Sequence, residues 1–205
     1  MLSTQSVKGL QIVPPKETSG AYETDPDMPK MHNVVVIVGK RAAGKGVCAI
    51  NLIEKMKYDY VIAVIFDDML GSLIYSRPRK INALSTYSRH LGQLSEGGSI
   101  GVSLYFLIQS FKMQTGGLSR CIRNQCTQLI LFKTKCEKEL NDVAESCGGE
   151  ICKEKFIQVY NYAIETGGDH AFLFIDLHRK PSHPSMFRVN LDGFILVDEL
   201  IKKEN

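Results

Sequence analysis

The side chains best suited to chemistry begin with one lysine and the glycines around it. Gly39-Lys40-Arg41-Ala42-Ala43-Gly44-Lys45 has the spacing G-x-x-x-x-G-K, the pattern of a phosphate-binding loop. Backbone N–H groups of such a loop turn inward onto polyphosphate, the glycines allow the tight wrap, and the lysine adds positive charge. Gly46 and Val47 would open the next helix, whose positive dipole end also favours an anion. Gly39–Val47 is therefore the candidate phosphate-binding stretch; the alternative is a glycine-rich turn with a surface lysine. One position departs from the pattern. A Ser or Thr hydroxyl ordinarily follows the lysine and ligates Mg²⁺, but here the residue is Gly46.

Two aspartates form the second candidate group. Val61–Phe66 is an apolar run that ends in Asp67-Asp68. A carboxylate pair at a strand tip suits metal-dependent phosphoryl chemistry: the first holds Mg²⁺ through water and the second polarises an attacking water. An acidic turn is the plainer alternative. Ile100–Ile108 is a third strand-like run and ends in Gln109-Ser110; an amide there can sense a γ-phosphate or orient water, or simply cap the strand. Arg120 or Arg123, on a short helix before Gln128–Phe132, could reach a neighbouring subunit's nucleotide, or be surface charge.

These groups need a scaffold that brings them to one place. Val34–Val38 is an unbroken run of β-branched residues with no polar alternation, which predicts a strand buried on both faces of a parallel sheet. Val61–Phe66 carries the same signature. Between them, Val47, Ile50 and Ile53, with Leu52 and Met56, have helical spacing. Pro78 opens a pattern with Ile81, Leu84, Ser88 and Leu91 on one face, ahead of a Gly/Ser-rich loop at Gly92–Ser99. Glu137–Cys147 and Ile151–Ile164 read as amphipathic helices ended by Gly148-Gly149 and Gly167-Gly168. His170–Leu177 and Met186–Leu191 then form a hairpin around a loop holding His178 and His183. That loop reads as solvated and basic, since no third ligand is spaced to complete a metal site. Phe194–Ile201 is a short apolar tail, strand or helix. The fold class expected is α/β, a mostly parallel sheet flanked by helices with a C-terminal β-hairpin.

With 205 residues, 44% of them hydrophobic, the chain is sized for one domain with a substantial core. Met1–Lys30, with four prolines, reads as an extended or poorly ordered arm, and residues 31–205 as the domain. A net charge of +3 is too small to diagnose nucleic-acid binding. The longest apolar runs fall far short of a membrane span, so no membrane association is expected. The six cysteines contain no C-x-x-C pair, which argues against zinc. They read as reduced thiols, mostly buried, in an intracellular protein.

In series, the phosphate loop, the Asp67-Asp68 strand, Arg89-His90, the Gln109 strand, Ile122-Arg123-Asn124 before Leu129–Phe132, and the hairpin beginning Phe172-Leu-Phe-Ile-Asp176 resemble a known family. It is the poxvirus-type DNA-packaging ATPases of large DNA viruses, virophages and Polinton-like elements, within the FtsK–HerA superfamily of P-loop motors. The resemblance spans roughly Met31 to Leu200. It implies a RecA/FtsK–HerA-like P-loop fold, a homo-oligomeric ring, ATP and Mg²⁺, double-stranded DNA as cargo and a capsid or portal-like partner. The setting it implies is the cytoplasm or nucleus where virions assemble, or the virion itself. Carried over by position, Lys45 would grip the β- and γ-phosphates, Asp67 hold Mg²⁺, Asp68 be the catalytic carboxylate, Gln109 the sensor, and Arg123 the arginine acting in trans, with Arg89 a second candidate. This chain departs from the family at Gly46, and in having room for only one helix and one strand between Lys45 and Asp67.

Three functions compete on these residues: a DNA-packaging ATPase, a small P-loop nucleoside or nucleotide kinase, and a nucleotide-binding subunit weakened in catalysis. The kinase reading suits the chain length but leaves the Gln109 strand and the hairpin unexplained.

Overall fold

The computed structural model describes residues 27–29, 32–56, 63–69, 79–91, 101–112, 118–149 and 151–198. Strand β1 (Val34–Val38) leads through the glycine loop into helix α1 (Lys45–Lys55), followed by β2 (Ala63–Asp67) and α2 (Arg79–Tyr87). A 3₁₀ turn over Ser88–His90 precedes β3 (Ser103–Ile108), α3 (Arg120–Asn124) and β4 (Gln128–Phe132). Helices α4 (Glu137–Cys147) and α5 (Lys153–Thr166) come next, then β5 (Phe172–Asp176), β6 (Phe187–Val189) and β7 (Gly193–Phe194). The strands form one seven-stranded sheet in the order β2-β3-β1-β4-β5-β6-β7. Strands β2, β3, β1 and β4 run parallel, and β5, β6 and β7 add on antiparallel. This is the α/β class expected, with its C-terminal hairpin.

Side-chain alternation divides the core into two layers. Val34, Val36, Val38, Leu104, Phe106, Leu129 and Leu131 face one side, where Ile81, Ile122, Val143, Phe156 and Val159 from α2–α5 cover them. Val35, Ile37, Tyr105, Leu107, Ile130, Phe172 and Phe174 face the other, under Cys48, Ala49, Leu52 and Met56 of α1. All five residues of β1 are buried, as an unbroken β-branched run demands. Successive connections leave β1 first towards β3 and β2, then towards β4. The C-terminal end of β1 is therefore the point where the strand order reverses, the usual place for a ligand crevice in such sheets.

Several expectations need correction. The run ending in Asp67 is not buried: β2 lies at the edge of the sheet, with Val64 36% and Ile65 43% exposed. Only its β3 side is paired within the described sheet, so an apolar run marks a strand here but not a central one. Val61 and Ile62 lie outside the described residues, as do Pro78 and Gly92–Ser99. On α1 the buried stripe is Cys48, Ala49, Leu52 and Met56, whereas Val47 and Ile50 point outward. Small side chains at 48 and 49 let the helix approach the sheet, and that rotates the other apolar stripe away. The two loop histidines also part company. His178 is exposed, but His183 is buried against Arg188 Nη2 at 3.2 Å and lies tilted against the Phe194 ring. Three of the cysteines, Cys48, Cys126 and Cys147, are buried; Cys136 and Cys152 are exposed. Packing also begins before residue 31: Met28 sits in the α1-side core, and Arg188 Nη1 donates to the Asp27 carbonyl.

Candidate nucleotide site

The glycine loop is built by close packing at its start and by left-handed backbone at its end. A Cβ on Gly39 would lie 3.0 Å from Phe132 Cβ and 3.2 Å from Ala43 Cβ, so any larger residue would crowd the point where the chain leaves β1. Ala42 and Gly44 have φ of 62° and 95°. These left-handed turns fold the loop back on itself, the alternation that makes an anion-binding nest of N–H groups. Helix α1 begins at once with Gly44 as N-cap, with no side-chain cap and no acidic residue in its first turn. First-turn N–H groups have no intrahelical acceptor, so this end of the helix keeps donors and positive dipole for an external anion.

Lys45 is 8% exposed and reaches back across the loop. Its Nζ donates to the carbonyls of Gly39 at 2.9 Å and Lys40 at 3.1 Å. The ammonium thus lies inside the turn, where a polyphosphate meeting the loop amides would also meet it. The charge is held within the loop rather than on an exposed surface side chain.

Strand β3 ties this loop to the acidic step. The Ile108 carbonyl accepts from Gly39 N–H at 3.0 Å, and the Leu107 carbonyl accepts from Asp68 N–H at 3.1 Å. The next residue, Gln109, donates Nε2 to both Asp68 carboxylate oxygens, at 2.8 and 2.9 Å. The last two residues of β3 and the one that follows therefore hold the glycine loop, the aspartate backbone and the aspartate carboxylate. Asp68 has φ 49°, a conformation that Asp tolerates better than most residues. Asp67 is in register with Leu107, and Leu107 with Ile37, so it stands about 10 Å across the sheet from β1 by the usual strand spacing. Leu107 and Ile37 belong to the layer under α1, and Asp67 shares that side.

The candidate residues thus fall into two groups. Gly39–Val47, Asp67, Asp68 and Gln109 lie at the C-terminal edge of the parallel strands. Arg123 lies towards the opposite edge, close to the start of β4: its carbonyl accepts from Cys126 N–H, and its Nη1 donates to the Leu118 carbonyl at 2.8 Å. Its guanidinium stands 5.8 Å from the Phe111 ring centre. There it lines a cleft with Lys112, Arg120, Asn124 and His178. Arg89 also sits at that end, in the turn whose Ser88 carbonyl accepts from Val102 N–H ahead of β3.

A nucleotide's phosphates fit what is present: a nest of backbone donors, an enclosed ammonium and an uncapped helix end. For Mg²⁺ the fit is partial. Asp67 and Asp68 supply carboxylate oxygen, the donor chemistry Mg²⁺ prefers, while Gly46 supplies none. A Cβ at Gly46 meets nothing within 4 Å, so the space for a hydroxyl is there even though the side chain is not. Among the described residues no three His, Cys, Asp or Glu side chains cluster to hold a metal by themselves.

One residue escaped the sequence reading. His170, just before β5, comes beside the loop: its Nδ1 would be 3.8 Å from a Cβ on Gly44. Because β5 runs antiparallel to β4, with Phe172 opposite Phe132, the start of β5 reaches the same sheet edge as the phosphate loop. The signal that would have found it is strand direction, which the apolar run Ala171–Ile175 does not carry.

No protein-family model matches the chain, and no curated protein matches it. Among solved structures it is similar to the genome packaging NTPase B204 from Sulfolobus turreted icosahedral virus 2. In complex with sulfate, that protein matches with a TM-score of 0.43 and 17% identity, over 71% of this chain and 92% of that one. In complex with ATP-γS the values are 0.42 and 14%, over 75% and 94%. The DNA-packaging ATPase B204 from Sulfolobus Turreted Icosahedral Virus gives 0.40 and 16%, over 75% and 100%. At these values none of the likenesses says what this chain does.

Proposed function

We propose that this chain binds ATP at Gly39–Val47 and hydrolyses it to drive double-stranded DNA into a viral capsid, working as one subunit of a homo-oligomeric ring. The observation that carries the nucleotide half is the linkage through β3, which fastens the phosphate loop and the Asp68–Gln109 pair to consecutive residues. In the reaction, water oxygen bonds to the γ-phosphorus and the bond to the β,γ-bridging oxygen breaks, giving ADP and phosphate. Asp68 orients that water and takes its proton; Gln109 fixes the carboxylate by donating to both of its oxygens. Lys45 and the α1 amides stabilise charge on the phosphates. Asp67 would hold Mg²⁺, which would supply positive charge to offset that of the phosphates.

The packaging half rests on the motif series and is the finer claim. Arg123 and Arg89 would act only towards a neighbouring subunit. Arg120, which lines the same cleft as Arg123, is the candidate for DNA phosphates, whose binding is salt-sensitive and indifferent to sequence. Gly46 favours a second reading, a subunit that binds ATP and assembles with little turnover of its own. Phosphate release from Mg-ATP, with and without double-stranded DNA and with nucleoside acceptors in parallel, separates the readings. Hydrolysis stimulated by DNA supports the motor. Binding without release supports the weakened subunit, and transfer to an acceptor would replace both with a kinase.

A further inference from the structure

We infer that the nucleoside of the bound nucleotide enters the cleft between α1 and the start of β5, with His170 at its mouth and Asn51 on its wall. The inference rests on the phosphate-loop reading and deepens it, because it says where the rest of the ligand goes. The cleft has a volume of ≈ 570 Å³, within the range of small-molecule sites. Its lining is mixed: Cys48, Asn51 and Glu54 from α1, His170 and Phe172 from the β5 side, and Leu191 and Asp192 from the turn after β6, with the charged residues at the Lys55 end. Apolar and aromatic walls with a few polar groups are what a base and ribose require.

Position supplies the second argument. In the sheet order, β2 with its aspartates lies on one flank of β1, and β4 and β5 lie on the other. A triphosphate laid across the loop with its γ-phosphate towards Asp67 and Asp68 has its α-phosphate and nucleoside directed to the β5 flank. His170 is on that flank and beside Gly44, so the cleft opens where the phosphates would end. At the other end, the salt bridge from Lys55 to Asp192 joins the last turn of α1 to the β6–β7 turn. From Lys45 to Lys55, α1 is 11 residues long, about 16 Å at the usual rise, enough for one nucleoside alongside the helix.

The cleft's polar groups differ in what they have left to offer. Asn190 is occupied: its Oδ1 accepts from Phe172 N–H at 3.2 Å and its Nδ2 donates to the Gly167 carbonyl at 3.1 Å. It shapes the wall. Asn51 and His170 are exposed side chains at the cleft, placed to meet a base edge and a ribose or α-phosphate. Cys48 is buried, and its burial raises the thiol's pKa to about 12, so it contributes a neutral apolar surface.

The test compares ATP with inorganic tripolyphosphate, which can occupy the loop but not the cleft. Binding of each is measured calorimetrically on the full chain, for wild type, Asn51→Trp, His170→Ala and Lys45→Ala. Asn51→Trp changes an exposed position and fills the cleft with an indole. The expected result is that wild type prefers ATP to tripolyphosphate. Asn51→Trp should lose ATP affinity on the order of tenfold while keeping its tripolyphosphate affinity, and His170→Ala should weaken ATP. Equal wild-type affinity for the two ligands, or ATP binding unchanged in both cleft variants, would overturn the nucleoside assignment. The loop reading would then stand if Lys45→Ala still removes both ligands. Wild type binding neither would overturn both.

Discussion

At residue scale, the site turns on what two positions carry. Gly46 lacks the hydroxyl that usually follows the lysine of a phosphate loop, yet a Cβ there meets no neighbour. Gly46→Ser should therefore fold normally and gain about 0.5 kcal/mol from helix propensity. If the hydroxyl is what limits the metal, its Mg²⁺-dependent phosphate release should rise severalfold in steady-state assays. Asp68 poses the complementary question. Its φ of 49° is one that Asn accepts as readily as Asp, so Asp68→Asn removes the charge without straining the turn. Turnover should fall by about 10²–10⁴-fold, the usual worth of a positioned acid or base, with ATP affinity nearly unchanged. Unchanged turnover in that variant would reduce Asp68 to a strand-end turn held by Gln109.

The elements explain why only part of this site could be read from the sequence. Val34–Val38 was legible because burial on both faces leaves a continuous β-branched run, and the glycine loop follows by spacing alone. The run before Asp67 looks the same but forms an edge: hydropathy reports that a strand is apolar, not which strands flank it. The place of β2 depends on pairing with β3, a segment far along the chain. The same limit hid His170, whose position follows from the antiparallel direction of β5. Packing gives a direct check of this topology. Ile37→Ala, in the fully buried central strand, should cost about 2–5 kcal/mol in urea unfolding. Ile65→Lys, on the exposed edge strand, should change stability by less than about 0.5 kcal/mol and reduce self-association, since edge lysines block strand pairing. Similar costs at the two positions would mean that β2 is covered and the strand order is wrong.

Across the whole molecule, a buried polar cluster holds the C-terminal strands and the chain before β1 together. Arg188, 1% exposed, packs its guanidinium over Phe194 and Phe174 and donates to the carbonyls of Asp27 and Leu191. Beside it, burial raises the pKa of the Asp176 carboxyl, and Arg188 only partly offsets that. A carboxyl whose folded pKa lies above its unfolded value favours folding in its protonated form. That contribution is complete below about pH 4 and is lost as pH rises through the folded value. Asp176→Asn should therefore flatten the fall in unfolding free energy above about pH 4, whatever it does to overall stability; an unaltered pH slope in urea titrations would refute this. The cluster belongs to the antiparallel strands β5–β7, and through Leu191 it adjoins the cleft beside α1. The claim on which the functional account depends is that the loop around Lys45 grips a nucleotide which the aspartate edge then cleaves. The most direct measurement is paired ATP binding and phosphate release, with Mg²⁺, for wild type and Lys45→Ala. Wild type should bind ATP and release phosphate, and the variant should do neither while remaining folded. Equal ATP binding by the two proteins would contradict the account.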